Sequence, residues 1–235
     1  MICCIIRRIA IFVVAMAVAV SGFATCGAAH ADPCCGPITP AGERLARFLD
    51  GTGVDHLWMI GNYVNWETGE ATGVGRKPTS THCSAFVGAV AERLGVYVLR
   101  PPEHSQILLA NAQLRWLRDE GAADGWRSLA DPVAAQTAAN RGELVVEAFE
   151  NPDPMRPGHV AVVRPSEQSR EALDRNGPRE TQAGETNALD TSTRLGFRHH
   201  HGAWVPGAWV PGAWVPGGGG GIRYYAHAIE WSKLP

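Results

Sequence analysis

Apolar residues fall into two regimes along this chain. Up to about residue 140 they recur at three- and four-residue spacings, and from Leu144 onward they gather in short runs rich in β-branched and aromatic side chains. The first regime predicts helices. A short one covers residues 43–49. A second opens at Thr81 to Ser84, closes at Gly95, and carries Cys83, Phe86, Val87, Val90 and Leu94 on one stripe. A third covers residues 105–118, beyond the break at Arg100-Pro101-Pro102. A fourth, rich in alanine, covers 131–140 with Pro132 at its first position. Residues 57–66 are apolar and aromatic and lead into an expected loop over 68–80. The second regime predicts strands over 144–149, 159–164, 179–183, 193–198 and 222–229. Helices followed by strands argue for an α+β domain with an antiparallel sheet.

The first residues follow a different logic. Arg7 and Arg8, an apolar run over 9–20 and Ala29-His30-Ala31 form a secretory leader, expected to be cleaved before Asp32. The apolar run is too short to span a bilayer, and no later stretch is a candidate, so a secreted or periplasmic product without a transmembrane segment is expected. Residues 32–42, with three prolines and two glycines, read as a flexible tail, and 43–235 as a single domain. The chain is mildly acidic, at a formal −2, and more so once Arg7 and Arg8 are removed, which gives no reason to expect a nucleic-acid partner.

Of six cysteines, Cys34, Cys35 and Cys83 remain after the leader. An odd number in an exported chain implies a free thiol. The adjacent Cys34 and Cys35 can form a vicinal disulfide, pair between chains or stay unpaired. No C-x-x-C pair suggests zinc, His199-His200-His201 lacks ligating neighbours and reads as a polar loop, and neither metal nor cofactor is expected. Between the last two strands Gly-Ala-Trp-Val-Pro occurs three times over 202–216, followed by five glycines to Gly221. This 202–221 insert reads as a low-complexity loop, with an aromatic arm that stacks on sugars or apolar ligands as the alternative.

Cys83 begins a helix, where unpaired N–H groups and the helix dipole favour the thiolate; the alternative is a small buried hydrophobe. A nucleophile needs a base. His159 stands at the first position of a strand, directly after the turn Met155-Arg156-Pro157-Gly158, and is favoured over His82, His104 and His227. A third polar group usually orients such an imidazole. Hairpin pairing of 159–164 with the next strand brings Gln182, Glu185 and Asn187 into range; all three qualify, and Asn187 is favoured.

His82-Cys83-Ser84-Ala85-Phe86-Val87 with Gly95-Val96 resembles the nucleophile helix of the NlpC/P60 and CHAP families of papain-like cell-wall peptidases. Gly142 to Val146 and Gly158-His159-Val160-Ala161-Val162-Val163 are similar to their central strands, the second bearing the histidine. Gly61-Asn62-Tyr63-Val64-Asn65-Trp66 is similar to their aromatic segment upstream of the cysteine, and Glu185-Thr186-Asn187 to the Glu-x-Asn of CHAP domains. The resemblance implies a papain-like fold and acyl transfer. Cys83 would attack an amide carbonyl, with His159 as base and acid. The Cys83 N–H would hold the oxyanion, with Tyr63 and Gln182 as further oxyanion or substrate contacts. Peptidoglycan or another peptide would be the substrate. Alternatives are a papain-like toxin or transferase acting on proteins, and a non-catalytic binding module using the Trp-rich loop.

Overall fold

The computed structural model describes residues 33–75, 81–205, 208–210, 213–215 and 221–234. The expected leader and its cleavage site lie outside these residues. The first helix, α1 (Pro40–Asp50), begins inside the stretch read as a flexible tail, for an identifiable reason. Thr39 caps it, accepting from the Gly42 N–H, and the same hydroxyl donates to the Asn140 carbonyl. Asn140 also donates to the Gly36 carbonyl, so residues 36–42 are docked. Cys34 and Cys35 are joined in a vicinal disulfide, and the Cys34 N–H reaches the Gln168 carbonyl.

A hairpin of β1 (Asn62–Val64) and β2 (Ala71–Val74) follows, so the expected 68–80 loop contains a strand. Its turn requires a glycine. Gly69 has φ +77°, and a Cβ there would lie 2.4 Å from the buried Trp58 ring. Helix α2 (Cys83–Arg93) is buried along its whole length to Ala91 rather than along one stripe. Small residues permit this: at Gly88 a Cβ would already lie 3.3 Å from the Arg100 side chain. Helix α3 (Leu109–Asp119) starts later than the periodicity predicts, because Leu108 is left-handed at φ 55°. After β3 (Arg127–Leu129), α4 (Pro132–Asn140) begins where the sequence places it. Asp131 accepts from the Ala134 N–H at 2.8 Å, and Pro132 occupies the first turn.

The remaining elements are β4 (Leu144–Phe149), β5 (His159–Val163), α5 (Arg170–Asn176), β6 (Arg179–Gln182), β7 (Ala188–Ser192), α6 (Thr193–Gly196), β8 (Ala208–Val210), β9 (Ala213–Val215) and β10 (Arg223–His227). The strand expected over 193–198 is therefore the short helix α6 with its exit, and the pairing partner of β6 is β7. Thr193 draws the chain into this helix, with its N–H on the Pro178 carbonyl and its hydroxyl on Glu147. The main sheet has the order β3-β10-β4-β5-β6-β7 and is antiparallel throughout, so the molecule is α+β.

Both faces of the sheet are covered. Leu144, Val146, Ala148, Val160, Val162 and Tyr225 meet α2 and α3, while Val145, Phe149, Ala161, Val163, Tyr224 and Ala226 meet α4 and the α6 exit at Phe197. This explains why β4 and β5 read as continuous apolar runs rather than alternating ones. Within the Trp-rich insert, β8 and β9 pair as a two-stranded hairpin, where the sequence reading placed only a loop. Ala-Trp-Val is strand-prone, and Pro-Gly separates its copies. Among the described residues no helix is long and apolar enough to cross a membrane.

Candidate active site

Two polar contacts hold the start of α2 in place. Gln113 of α3 donates to the carbonyls of Ser84 and Leu99 at 3.0 and 2.9 Å, and His82 Nε2 donates to the Asn62 carbonyl of β1 at 2.9 Å. His82 occupies the cap position without capping the helix through its side chain, so the first-turn N–H groups remain available. Cys83, the free cysteine among the described residues, is 4% exposed. The N–H groups of Val160, Ser84 and Cys83 itself hydrogen-bond to its sulfur and favour the thiolate, but burial outweighs them and pushes the thiol pKa up. Helix position and a neighbouring imidazolium predict a thiolate at Cys83. Desolvation reverses that sign.

Because Val160 donates to Cys83 Sγ, the thiol lies against the peptide that follows His159. Alternation along β5 turns Val160 toward α2 and His159 toward the other face. There the His159 imidazole meets Phe197 edge-on, with centroids 4.6 Å apart, and stacks on His200 at 5.1 Å and 14°. Among the described residues no hydrogen bond joins this imidazole to the thiol. Burial and the neighbouring His200 lower the His159 pKa to about 3, so the ring is neutral at pH 7.

Of the three polar candidates near His159, Gln182 is the one that hydrogen-bonds to its ring. Gln182 Nε2 donates to the Thr186 carbonyl at 2.9 Å, which leaves its Oε1 to accept from His159 Nε2 at 2.7 Å. That bond assigns the proton to Nε2 and leaves Nδ1 with a lone pair, the form a general base requires. Asn187, favoured from sequence, is occupied elsewhere. Its Nδ2 donates to the carbonyls of Val54 and Leu57, both at 2.7 Å, and its Oδ1 accepts from the Gly184 N–H. A bulge in β6 between Glu180 and Gln182 pairs Gln182 with Ala188 and leaves Asn187 just beyond the ladder. Glu185 pairs with His199 at 3.1 Å. Tyr63 is 51% exposed on β1, and among the described residues no hydrogen bond or ring contact ties it to Cys83 or His159.

A cleft of about 320 Å³ opens onto His159 and Gln182 and is bounded by Thr81, Arg156, Glu185, Thr186, Arg198 and His200. His200, Phe197, Arg156 and Arg198 were not among the site candidates. The triple histidine reads from sequence as a polar loop, although the Phe197-Arg198-His199-His200 run after α6 carries a signal in its aromatic and basic content. No known family model matches the chain, and no curated protein is similar to it.

Proposed function

We propose that this protein is an exported thiol hydrolase of papain-like fold that cleaves amide bonds, with peptidoglycan peptides as its substrate class. One observation carries the reading. The free thiol at the start of α2 lies against the peptide following His159, and the imidazole there is held by Gln182 as the tautomer whose Nδ1 can accept a proton. Both groups are neutral at rest, because burial raises the thiol and lowers the imidazole. Proton transfer then accompanies attack rather than preceding it. The sulfur bonds to the carbonyl carbon as Nδ1 takes its proton, and the imidazolium returns that proton to the departing amine as the C–N bond breaks. Water, deprotonated by the same nitrogen, then hydrolyses the thioester and restores the thiol. At rest the thiol and the His159 ring lie toward opposite faces of β5, so the step requires the ring to move until Nδ1 comes within hydrogen-bond reach of Sγ while Nε2 keeps Gln182.

A second reading, a binding module without turnover, is favoured by the 4% exposure of Cys83. Incubating the mature protein and its Cys83→Ala variant with purified peptidoglycan, with released fragments identified by mass spectrometry, separates the two. Hydrolysis predicts fragments that fall in yield on the order of a thousandfold or more in the variant. Equal sedimentation with the polymer and no fragments from either protein would establish the binding module.

A further inference from the structure

The cleft beside His159 carries cationic groups that the hydrolytic step does not use. Arg198 is anchored, with Nη1 donating to the Leu195 carbonyl and Nη2 to Thr186 Oγ1, both at 3.0 Å, and it has no carboxylate partner among the described residues. Arg156 comes from the turn before β5. Its side chain has no hydrogen bond or ion pair among the described residues, and its charge acts on His200. The carboxylate that lines the same cleft, Glu185, faces His199. Two guanidiniums against one carboxylate leave an excess that a single monoanion balances, and a dianion would meet Glu185 at a greater cost.

We propose that Arg156 and Arg198 form a subsite for a substrate carboxylate, placed in the cleft beside His159. Assigning this site to a substrate rests on the hydrolase reading; the anion site itself does not. Its connection to the imidazole is short. Arg198 holds the Thr186 hydroxyl, the Thr186 carbonyl holds Gln182, and Gln182 holds His159. A carboxylate that engages the free edge of Arg198 in a planar, charge-assisted pair therefore sits on the segment that positions the base. The chosen substrate is a peptide bearing a free carboxylate near the scissile amide, and the rejected one is its neutral amide.

The test uses the Cys83→Ala protein, so that binding is read without turnover. N-acetyl-alanyl-alanine, its C-terminal amide and inorganic phosphate are titrated in turn by calorimetry. The acid is expected to bind about tenfold tighter than the amide, the worth of one charge-assisted contact, and added salt should erode that preference. Arg198→Met and Arg156→Met should each reduce the preference several-fold and together remove it, while Arg198→Lys keeps part of it. Thermal melts of each variant show whether it remains folded. Equal binding of acid and amide, no binding of the acid, tighter binding of phosphate, or a preference that survives in the folded double variant would each overturn the proposal. Should the wild type cleave nothing while Cys83→Ala keeps its preference, the hydrolase reading falls and the anion site stands. Cleavage without the preference gives the reverse.

Discussion

The two faces of the central sheet are held together by different physics. Val146, Val160 and Val162 lie against α2 and α3, Phe86 of α2 meets Trp58 edge-on at 5.3 Å, and Gln113 satisfies backbone carbonyls at the helix start and at Leu99. On the other face, alongside Val163 and Phe197, the sheet buries Glu147, Glu180, His159 and Gln182. Glu147 and Glu180 lie against each other, and Thr193 donates to Glu147 Oε2, while Glu147 Oε1 and both Glu180 oxygens have no hydrogen-bond partner among the described residues. Burial raises both carboxyl pKa values, while burial lowers His159. Stability on the first face depends on area and shape. On the second it depends on where the protons are.

Truncation on the apolar face should therefore have the largest effect. Phe86→Ala removes a fully buried ring between Trp58 and the sheet and should cost about 3–5 kcal/mol in urea unfolding, with the pH dependence of stability unchanged. A loss below 1 kcal/mol would mean that this face is not close-packed.

The polar face separates positioning from architecture at two neighbouring residues. Asn187→Ala leaves the Val54 and Leu57 carbonyls and the Gly184 N–H without their partner and should cost about 1–3 kcal/mol, while the folded variant keeps its rate. Under the proposed hydrolysis, Gln182→Ala should slow peptidoglycan cleavage by on the order of tenfold or more and displace its pH profile, because the Nε2–H tautomer of His159 loses its acceptor; Gln182→Glu retains an acceptor and should recover part of the rate. The opposite pattern would restore Asn187 as the orienting residue.

The same contrast decides what the sequence could reveal. Periodicity exposed the apolar face, since α2, α4, β4 and β5 announce themselves through spacing, Pro132 and valine runs. It also singled out Cys83 and His159, because a thiol at a helix start and a histidine at a strand start are positional signals. The polar face was less legible, since burial of Glu147 or Glu180 follows from which strands neighbour one another and not from their immediate context. Gln182, Glu185 and Asn187 lie so close in sequence that only the register of the hairpin after His159 distinguishes them, and neither that register nor the bulge between Glu180 and Gln182 leaves a mark in composition. Thr193 to Gly196 alternates like a strand, but the Thr193 hydroxyl donates to Glu147 of β4, 46 positions earlier in the chain, and the segment is helical.

Proton placement on the polar face gives a pH signature with a definite sign. A carboxyl whose pKa rises on folding, as burial makes that of Glu147, binds its proton more tightly in the native state, so its contribution is complete below its ordinary value of 4.5 and is lost as pH climbs through the raised native value. His159 acts in the opposite direction. With its native pKa lowered from 6.5 to about 3, its contribution is present above pH 6.5 and is lost as pH falls toward 3. Between pH 4.5 and 6.5 His159 opposes Glu147, and the buried Glu180, also raised, acts in the same direction as Glu147. Glu147→Gln keeps the shape and removes one titration, so its stability should rise with pH more steeply than the wild type's, by up to about 1.4 kcal/mol per pH unit. Parallel urea midpoints for both proteins across that window would show that Glu147 does not hold a proton in the native state.

The smallest effect is expected where neither face is involved. Gly202 and Gly221 are joined by a backbone hydrogen bond of 2.8 Å, which closes the insert at its base. Ala203 is buried on the polar face beside Phe197, and Trp204 packs against the same cluster, so the first copy of the repeat belongs to the domain. The paired strands β8 and β9 lie in the following copies, and an isolated two-stranded hairpin is marginal in water. Deleting residues 207–216 removes both strands, keeps Ala203 and Trp204, and shortens the closed loop by about half. Each halving of a flexible loop recovers about 0.6 kcal/mol of closure entropy, so the melting temperature should stay level or rise by about 1–2 °C. Trp204→Ala, by contrast, should lower it. If the deletion instead costs several degrees, the later tryptophans pack on the domain as Trp204 does, and the boundary between fold and insert moves beyond Pro206.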